Sequence, residues 1–238
     1  MIRLYYIGTG EAFDDRLPNT SLLYEGNGRV LIDCGYSVPR AYWGLGLSHD
    51  ALDGIYLSHF HADHCFGLPP LLARMGQDGR RRSLTILGGP GSAEASRRVL
   101  ELGYPGMLKK LPFPLEWHEF SPGKSELWKQ ATWTVAQSLH RMPNFSVRIE
   151  EAGHAVCYSG DGAPSDATEA LYRGASLLIH EAYYDAPQRS QSHASVPGVL
   201  ELSQRCAVKT LHVLHRKRSL LRPVNVHVPA PGDVVELR

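Results

Sequence analysis

Apolar runs and polar punctuation alternate along this chain without a linker-like break. Residues 2–7 form a first apolar run, and Ser21 to Glu25 and Arg29 to Asp33 flank Gly26-Asn27-Gly28, a pattern that predicts a β-hairpin. A strand over Gly54 to Leu57 ends where a run of histidines begins. Helix periodicity fits Gly67 to Met75, a strand Ser83 to Leu87, and a helix Ser92 to Leu102. The middle of the chain then turns to strands at Leu115 to Phe120, Glu126 to Trp128, Thr132 to Leu139, Phe145 to Glu150 and Ala155 to Tyr158. The last third returns to alternation: helix near Ala167 to Tyr172, strand Ser176 to Ile179, helix Val196 to Arg205, strand Thr210 to Leu214. No internal repeat is visible. Two sheets covered by helices on their outer faces, as a single domain over 1–238, is the simplest packing of this α/β pattern.

Composition narrows the picture only a little. The chain has 238 residues and 43% hydrophobic content, ample for a sizeable core. A formal charge of +1 gives no global electrostatic case for nucleic acid, which leaves only local clusters at Arg80-Arg81-Arg82 and Arg216-Lys217-Arg218. The opening apolar run is too short for a signal peptide core, and no run is long enough to cross a bilayer. A cytoplasmic protein with no membrane partner is the expectation. Cys34, Cys65, Cys157 and Cys206 form no CxxC pair, so they read as thiols rather than as a disulfide framework.

Candidate chemistry gathers at strand ends. Ser58-His59-Phe60-His61-Ala62-Asp63-His64 packs three histidines and an aspartate into one loop, enough to supply ligands to two ions a few ångströms apart. One loop cannot close a two-metal site, and three later strand ends offer the remainder. His140 follows the run Thr132 to Leu139, Asp161 follows Ser159-Gly160, and His215 follows Val213-Leu214. An aspartate in that position can bridge two cations. Asp33, after Arg29 to Ile32, reads as a carboxylate that orients a ligand, and Cys65 directly follows His64. Strand alternation points His180 and His212 away from the site.

The order HxHxDH, His140, Ser159-Gly160-Asp161, His215 resembles the metallo-β-lactamase superfamily, and within it the ribonuclease Z-like branch. The segments "IGTGEAF", "LDGIYLSHFHADHCFGLPPLL", "HRMPNFSVRIEEAGHAVCYSGD", "LLIHEAYY" and "HASVPGVLELSQRCAVKTLHVLH" carry the likeness in order, over nearly the whole chain. The resemblance implies a four-layer αββα sandwich holding two Zn2+, with Mn2+ or Fe2+ as alternatives. It implies that His59, His61 and His140 hold one ion and Asp63, His64 and His215 the other, with Asp161 bridging. Hydroxide between the ions would be the nucleophile, oriented by Asp63. The same resemblance makes His193 the general acid for the leaving oxygen and Glu181 the carboxylate that holds it.

The departures bear on substrate. Transfer-RNA-processing members of that branch carry a long arm, commonly between the counterparts of His140 and Asp161, and only twenty residues separate the two here. Gly162 stands where the branch often has Thr, and Leu214 where Thr usually precedes the last histidine. The expected activity is therefore a metal-dependent phosphodiesterase acting on a small or flexible phosphodiester, a cyclic nucleotide among the candidates. The alternatives are a tRNA 3'-end endonuclease, an aryl sulfatase or other ester hydrolase, and a non-catalytic metal-binding protein. Nucleic acid is a less favoured partner than a small ester, and a homodimer is an open expectation.

Overall fold

The computed structural model describes residues 1–187, 192–218 and 225–238. Seven strands form one sheet and six another, among the described residues. The chain enters the first sheet through β1 (Ile2–Gly8), β2 (Ser21–Glu25), β3 (Arg29–Ile32), β4 (Gly54–Leu57), β5 (Leu84–Gly88) and β6 (Leu115–Glu119). It then builds the second through β7 (Ser125–Trp128), β8 (Ala131–Gln137), β9 (Phe145–Glu151), β10 (His154–Tyr158), β11 (Leu177–Glu181) and β12 (Leu211–Leu214). The tail returns to the first sheet as β13 (Val234–Leu237), giving the orders β13-β1-β2-β3-β4-β5-β6 and β12-β11-β10-β9-β8-β7. Each sheet pairs antiparallel at one side and parallel at the other: β3, β4, β5 and β6 run parallel, as do β10, β11 and β12.

The two-sided burial of these strands explains their continuous apolar runs. Along β1, Ile2, Leu4 and Tyr6 enter the core between the sheets, while Tyr5 and Ile7 face outward under helices. Those helices are α1 (Val38–Gly44), α3 (Leu68–Gln77) and α4 (Ser92–Gly103), whose Val38, Leu68, Leu71, Leu72 and Leu100 bury against Leu31, Ile55 and Ile86. On the far side α6 (Asp166–Tyr172) and α7 (Val196–Arg205) cover the second sheet through Leu171, Tyr172, Val199 and Leu202. The result is the four-layer αββα sandwich. Two short helices, α2 (Ala62–Cys65) and α5 (Met107–Lys110), complete the element order.

Local chemistry fixes several boundaries. Ser165 caps α6 by accepting from Thr168 N and sharing a reciprocal capping box with that residue, and Ser195 caps α7 with Pro197 in the first turn. The middle segment Leu115–Glu119 joins the first sheet as its parallel edge, whereas β7 to β12, which follow it, belong to the second. Arg80, read from the sequence as part of a basic cluster, is fully buried and donates to the backbone carbonyls of His49, Leu52, Arg82 and Ser83. It anchors loops and offers no charge to a partner.

Candidate active site

The proposed ligands and Glu181 sit at strand ends or in the turns that follow them, at one edge of the sandwich, and His193 lies just before α7. The loop after β4 carries His59 and His61 and runs into α2, which holds Asp63 and His64. His140 follows β8, Asp161 follows β10, Glu181 ends β11, and His215 follows β12 in a left-handed backbone at φ 54°. The antiparallel and parallel halves of the two sheets meet here, so strands distant in sequence deliver side chains to one place.

Two groups of four potential metal ligands result, His59, His61, His140 and Asp161, and Asp63, His64, Asp161 and His215, and a smaller third group of Glu181, His193 and His215 adjoins them. Donors around a tetrahedral zinc lie roughly 3.3 Å apart, given bonds of about 2.0–2.2 Å. In the first group His61 Nδ1 lies 3.0 Å from His59 Nε2 and 3.1 Å from His140 Nε2, and His59 Nε2 lies 3.9 Å from Asp161 Oδ2. In the second, His64 Nε2 is 3.2 Å from Asp63 Oδ2 and 3.4 Å from Asp161 Oδ1, and His215 Nε2 is 3.4 and 3.6 Å from the same two oxygens. Asp161 thus turns one oxygen to each group. His64 Nε2 and Asp161 Oδ1 are buried with no hydrogen-bond partner among the described residues. Convergent ring nitrogens and an orphaned carboxylate oxygen at these separations fit a pair of divalent cations.

On three of the rings the other nitrogen is committed. His64 Nδ1 meets Asp33 Oδ2 at 2.8 Å, His59 Nδ1 meets Ser58 Oγ at 3.1 Å, and His140 Nδ1 meets the Ser192 carbonyl at 2.9 Å. Each contact leaves the Nε2 lone pair facing the cluster. Asp33 itself is buried after β3 at φ 57°, where it also accepts from Ser58 N and from the hydroxyls of Ser58 and Tyr158. Cys65 is buried, donates to the His61 carbonyl, and has its thiol pushed up to about 12 mainly by burial, which suits packing and not ligation.

Electrostatics agree with a cation site. Burial pushes His64 down, yet the carboxylates of Asp161, Asp63 and Asp33 overcome it and raise the ring well above the usual histidine range. His215 is raised to about 9 against burial by Asp161 and Asp63. Burial raises Asp161 and Asp63, but the imidazoliums of His215 and His64 hold both carboxyls below their ordinary range. His59 is driven well below its usual value by burial and by His64. Positive charge is therefore required among these carboxylates, and bound cations would supply it while displacing the protons.

Beside the ligand groups, Glu181 Oε1 accepts from His193 Nδ1 at 3.1 Å and from Gly162 N and Ala194 N at 3.0 Å, while Oε2 accepts from Tyr183 N at 2.8 Å. This buried, fully bonded carboxylate fixes the His193 ring with Nε2 left for the cavity. Burial lowers His193, and the bond to Glu181 outweighs it, so the ring is raised. Gly162 adopts φ 109°, and a Cβ there would come within 2.4 Å of Ser138 Oγ, which explains glycine at this place in the chain. Leu214 is buried in the inter-sheet core. His212 and His180 point away, as alternation predicts: His212 bonds Tyr6 OH at 2.6 Å, and His180 bonds the Glu181 carbonyl and packs on Tyr172.

Three contributors were not visible in the sequence. Asn144 accepts from Asp161 N and donates to Ser138 Oγ and the Ser159 carbonyl, fixing the turn that presents Asp161. Tyr183 packs its ring on His193 at 4.9 Å. Glu11, buried, pairs with Arg218 and accepts from Phe13 N. The basic run after His215 is likewise committed: Arg216 pairs with Asp185 at 2.8 Å, and Lys217 lies over the Tyr183 ring. A cavity of about 510 Å³ opens over the cluster, lined by His61, Asp63, His140, Asp161, His193 and His215 on its polar side.

Fold and site together define a metal-dependent hydrolase of the metallo-β-lactamase superfamily, in its ribonuclease Z-like branch. The profile of the family described as Anti-Pycsar protein Apyc1 matches residues 2–220, and the chain belongs to that family. Ribonuclease Z of Mycobacterium sp. (strain KMS) is 30% identical over an alignment 264 positions long, gaps included, spanning 100% of this chain and 89% of that protein. Human tRNase Z, short form (ELAC1), superposes with a TM-score of 0.82 at 23% identity, covering 99% of each chain. The metallo-β-lactamase fold protein YhfI from Bacillus subtilis follows at 0.79 and 22%, covering 98% of each. At those identities the solved structures establish the fold. Among the described residues no helix is long and apolar enough to cross a membrane.

Proposed function

We propose that this chain is a two-zinc phosphodiesterase acting on small or flexible phosphodiesters, cyclic nucleotides among them, rather than a tRNA 3'-end endonuclease. One observation carries the choice between the two. The twenty residues between His140 and Asp161 are used up by β9, β10 and their connections, both strands paired within the second sheet, so that no arm projects there. A cavity of about 510 Å³ matches a small ester. We take residues 1–238 as one domain, since strands from both ends of the chain line the same core.

In this reading His59, His61 and His140 hold one ion, Asp63, His64 and His215 the other, and Asp161 both. Two bound cations would neutralise charge growing on phosphorus and acidify water. The chain's own residues do the rest. Asp63, a carboxylate at the second ligand group, accepts a proton from the attacking water and orients it. As the new P–O bond forms and the old one breaks, His193 Nε2 gives its proton to the leaving oxygen, and Glu181 holds the resulting ring in place. Asp33 and Asn144 keep His64 and Asp161 from turning away.

The test is a turnover panel on zinc-loaded protein with a 3',5'-cyclic nucleotide, a chromogenic phosphodiester, an aryl sulfate and a precursor tRNA. The reading expects hydrolysis of the first two, far better than of the matching phosphomonoester, and poor processing of the tRNA. Efficient, site-specific cleavage of the precursor would reverse it.

A further inference from the structure

The cavity over the ligands is also lined by rings that the proton and metal chemistry leaves unused. Phe13 and Tyr36 both line it, and they are 72% and 49% exposed. Exposure alone means little, since Leu102 and Leu127 are equally exposed on other surfaces. These two differ in how they are held.

Phe13 rides on a loop knotted by its own polar groups. The buried Glu11 carboxylate accepts from Phe13 N at 2.8 Å, Asp14 N donates to the Glu11 carbonyl, and Asp14 Oδ1 accepts from Arg16 N and Leu17 N. Glu11 is in turn paired with Arg218, so the loop is tied to the segment that follows His215. Tyr36 comes from the turn after β3, and its hydroxyl donates to the Ala12 carbonyl, one residue before Phe13. The two loops are also laced together through Asn19 and Ser37, which exchange three hydrogen bonds of 2.6 to 3.1 Å. This polar structure fixes the two loops that carry Phe13 and Tyr36, both exposed at the cavity that holds the ligand cluster.

We propose that Phe13 and Tyr36 are specificity-determining residues that stack on a planar ring of the substrate, a nucleobase or similar heterocycle attached to the scissile phosphodiester. Aromatic stacking tolerates different bases because each has a π-face, so the wall selects for a ring rather than for one base. Glu11 is a positioning residue for the wall. The inference rests on the phosphodiesterase reading above and adds the recognition of the group beyond phosphorus.

The experiment compares kcat/KM for a nucleoside 3',5'-cyclic monophosphate and for its abasic sugar analogue, in the wild type and in Phe13→Ala, Phe13→Trp and Tyr36→Leu. The expected result is a wild-type preference for the base-bearing substrate. The preference falls about 5- to 100-fold in Phe13→Ala and Tyr36→Leu, the usual worth of one stacked ring, and returns in Phe13→Trp. Because the readout is a ratio between two substrates on the same preparation, a partly folded variant does not imitate it. A wild-type ratio near one, or a ratio unchanged by Phe13→Ala and Tyr36→Leu, would overturn the inference while leaving the phosphodiesterase reading standing. A zinc-loaded wild type that hydrolyses no phosphodiester would overturn both.

Discussion

The division of labour between Glu181 and His193 is decided by single hydrogen bonds. Glu181 uses both oxygens to fix three backbone amides and one imidazole, so its contribution is orientation and charge, while the His193 ring alone has an atom free to reach a substrate. His193→Ala should therefore keep its metal and lose about 10²- to 10⁴-fold in rate on a substrate with a poor leaving group. With nitrophenolate, which leaves without much proton transfer, the loss should shrink; equal losses would assign His193 to structure. The bond to Glu181 raises the His193 pKa, so the acid form persists above the ordinary histidine value. Removing that charge in Glu181→Gln should move the basic limb of the pH–rate profile to lower pH. Gly162 gives a second residue-scale test. Thr would need φ 109° and a Cβ within 2.4 Å of Ser138 Oγ. Gly162→Thr should cost about 2–4 kcal/mol in a denaturant melt, from left-handed strain plus overpacking. A neutral substitution would mean that the turn relaxes.

At the scale of elements, most of the strands and helices could be read from the sequence because their apolar runs end at glycine, proline or a cap, as at Ser165 and Ser195. What could not be read had physical reasons. β13 is a four-residue tail strand with half of its positions exposed, and only its pairing with β1 makes it a strand. The helix α1 carries little periodic signal in its seven residues, and it holds because Val38 and Tyr42 bury against the first sheet. The sheet to which Leu115–Glu119 belongs depends on a parallel partner in β5, a non-local fact. The contact between β12 and β1 carries its own prediction. His212, buried beside Tyr6 and His227, has its pKa lowered to about 4 by burial first and by the charge of His227 second. Its folded value lies below its unfolded value of about 6.5, so the stability it contributes is present above pH 6.5 and is lost as pH falls toward 4. The loss should be about 2–3 kcal/mol over that window. His212→Gln should flatten the slope of stability against pH there; an unchanged slope would show that other groups set it.

For the whole molecule, the site exists because two sheets with mixed pairing bring β4, β8, β10, β11 and β12 to one edge. The candidate ligands were legible: the dense His59–His64 loop points to metal, and strand-end His140, Asp161 and His215 follow in order. Their convergence was not, since it depends on sheet order and on partners such as Asn144 and Tyr158 that carry no motif. The central claim is that these seven side chains form one two-metal centre on which all activity depends. Its most direct test is metal content measured beside turnover of a chromogenic phosphodiester, before and after chelation and in Asp161→Ala. The account predicts about two zinc ions per active chain, loss of activity on chelation with recovery on adding zinc back, and loss of activity together with at least one ion in Asp161→Ala, because that carboxylate faces both groups. A fully active protein free of bound metal, or an Asp161→Ala variant that keeps both ions and its rate, would contradict it.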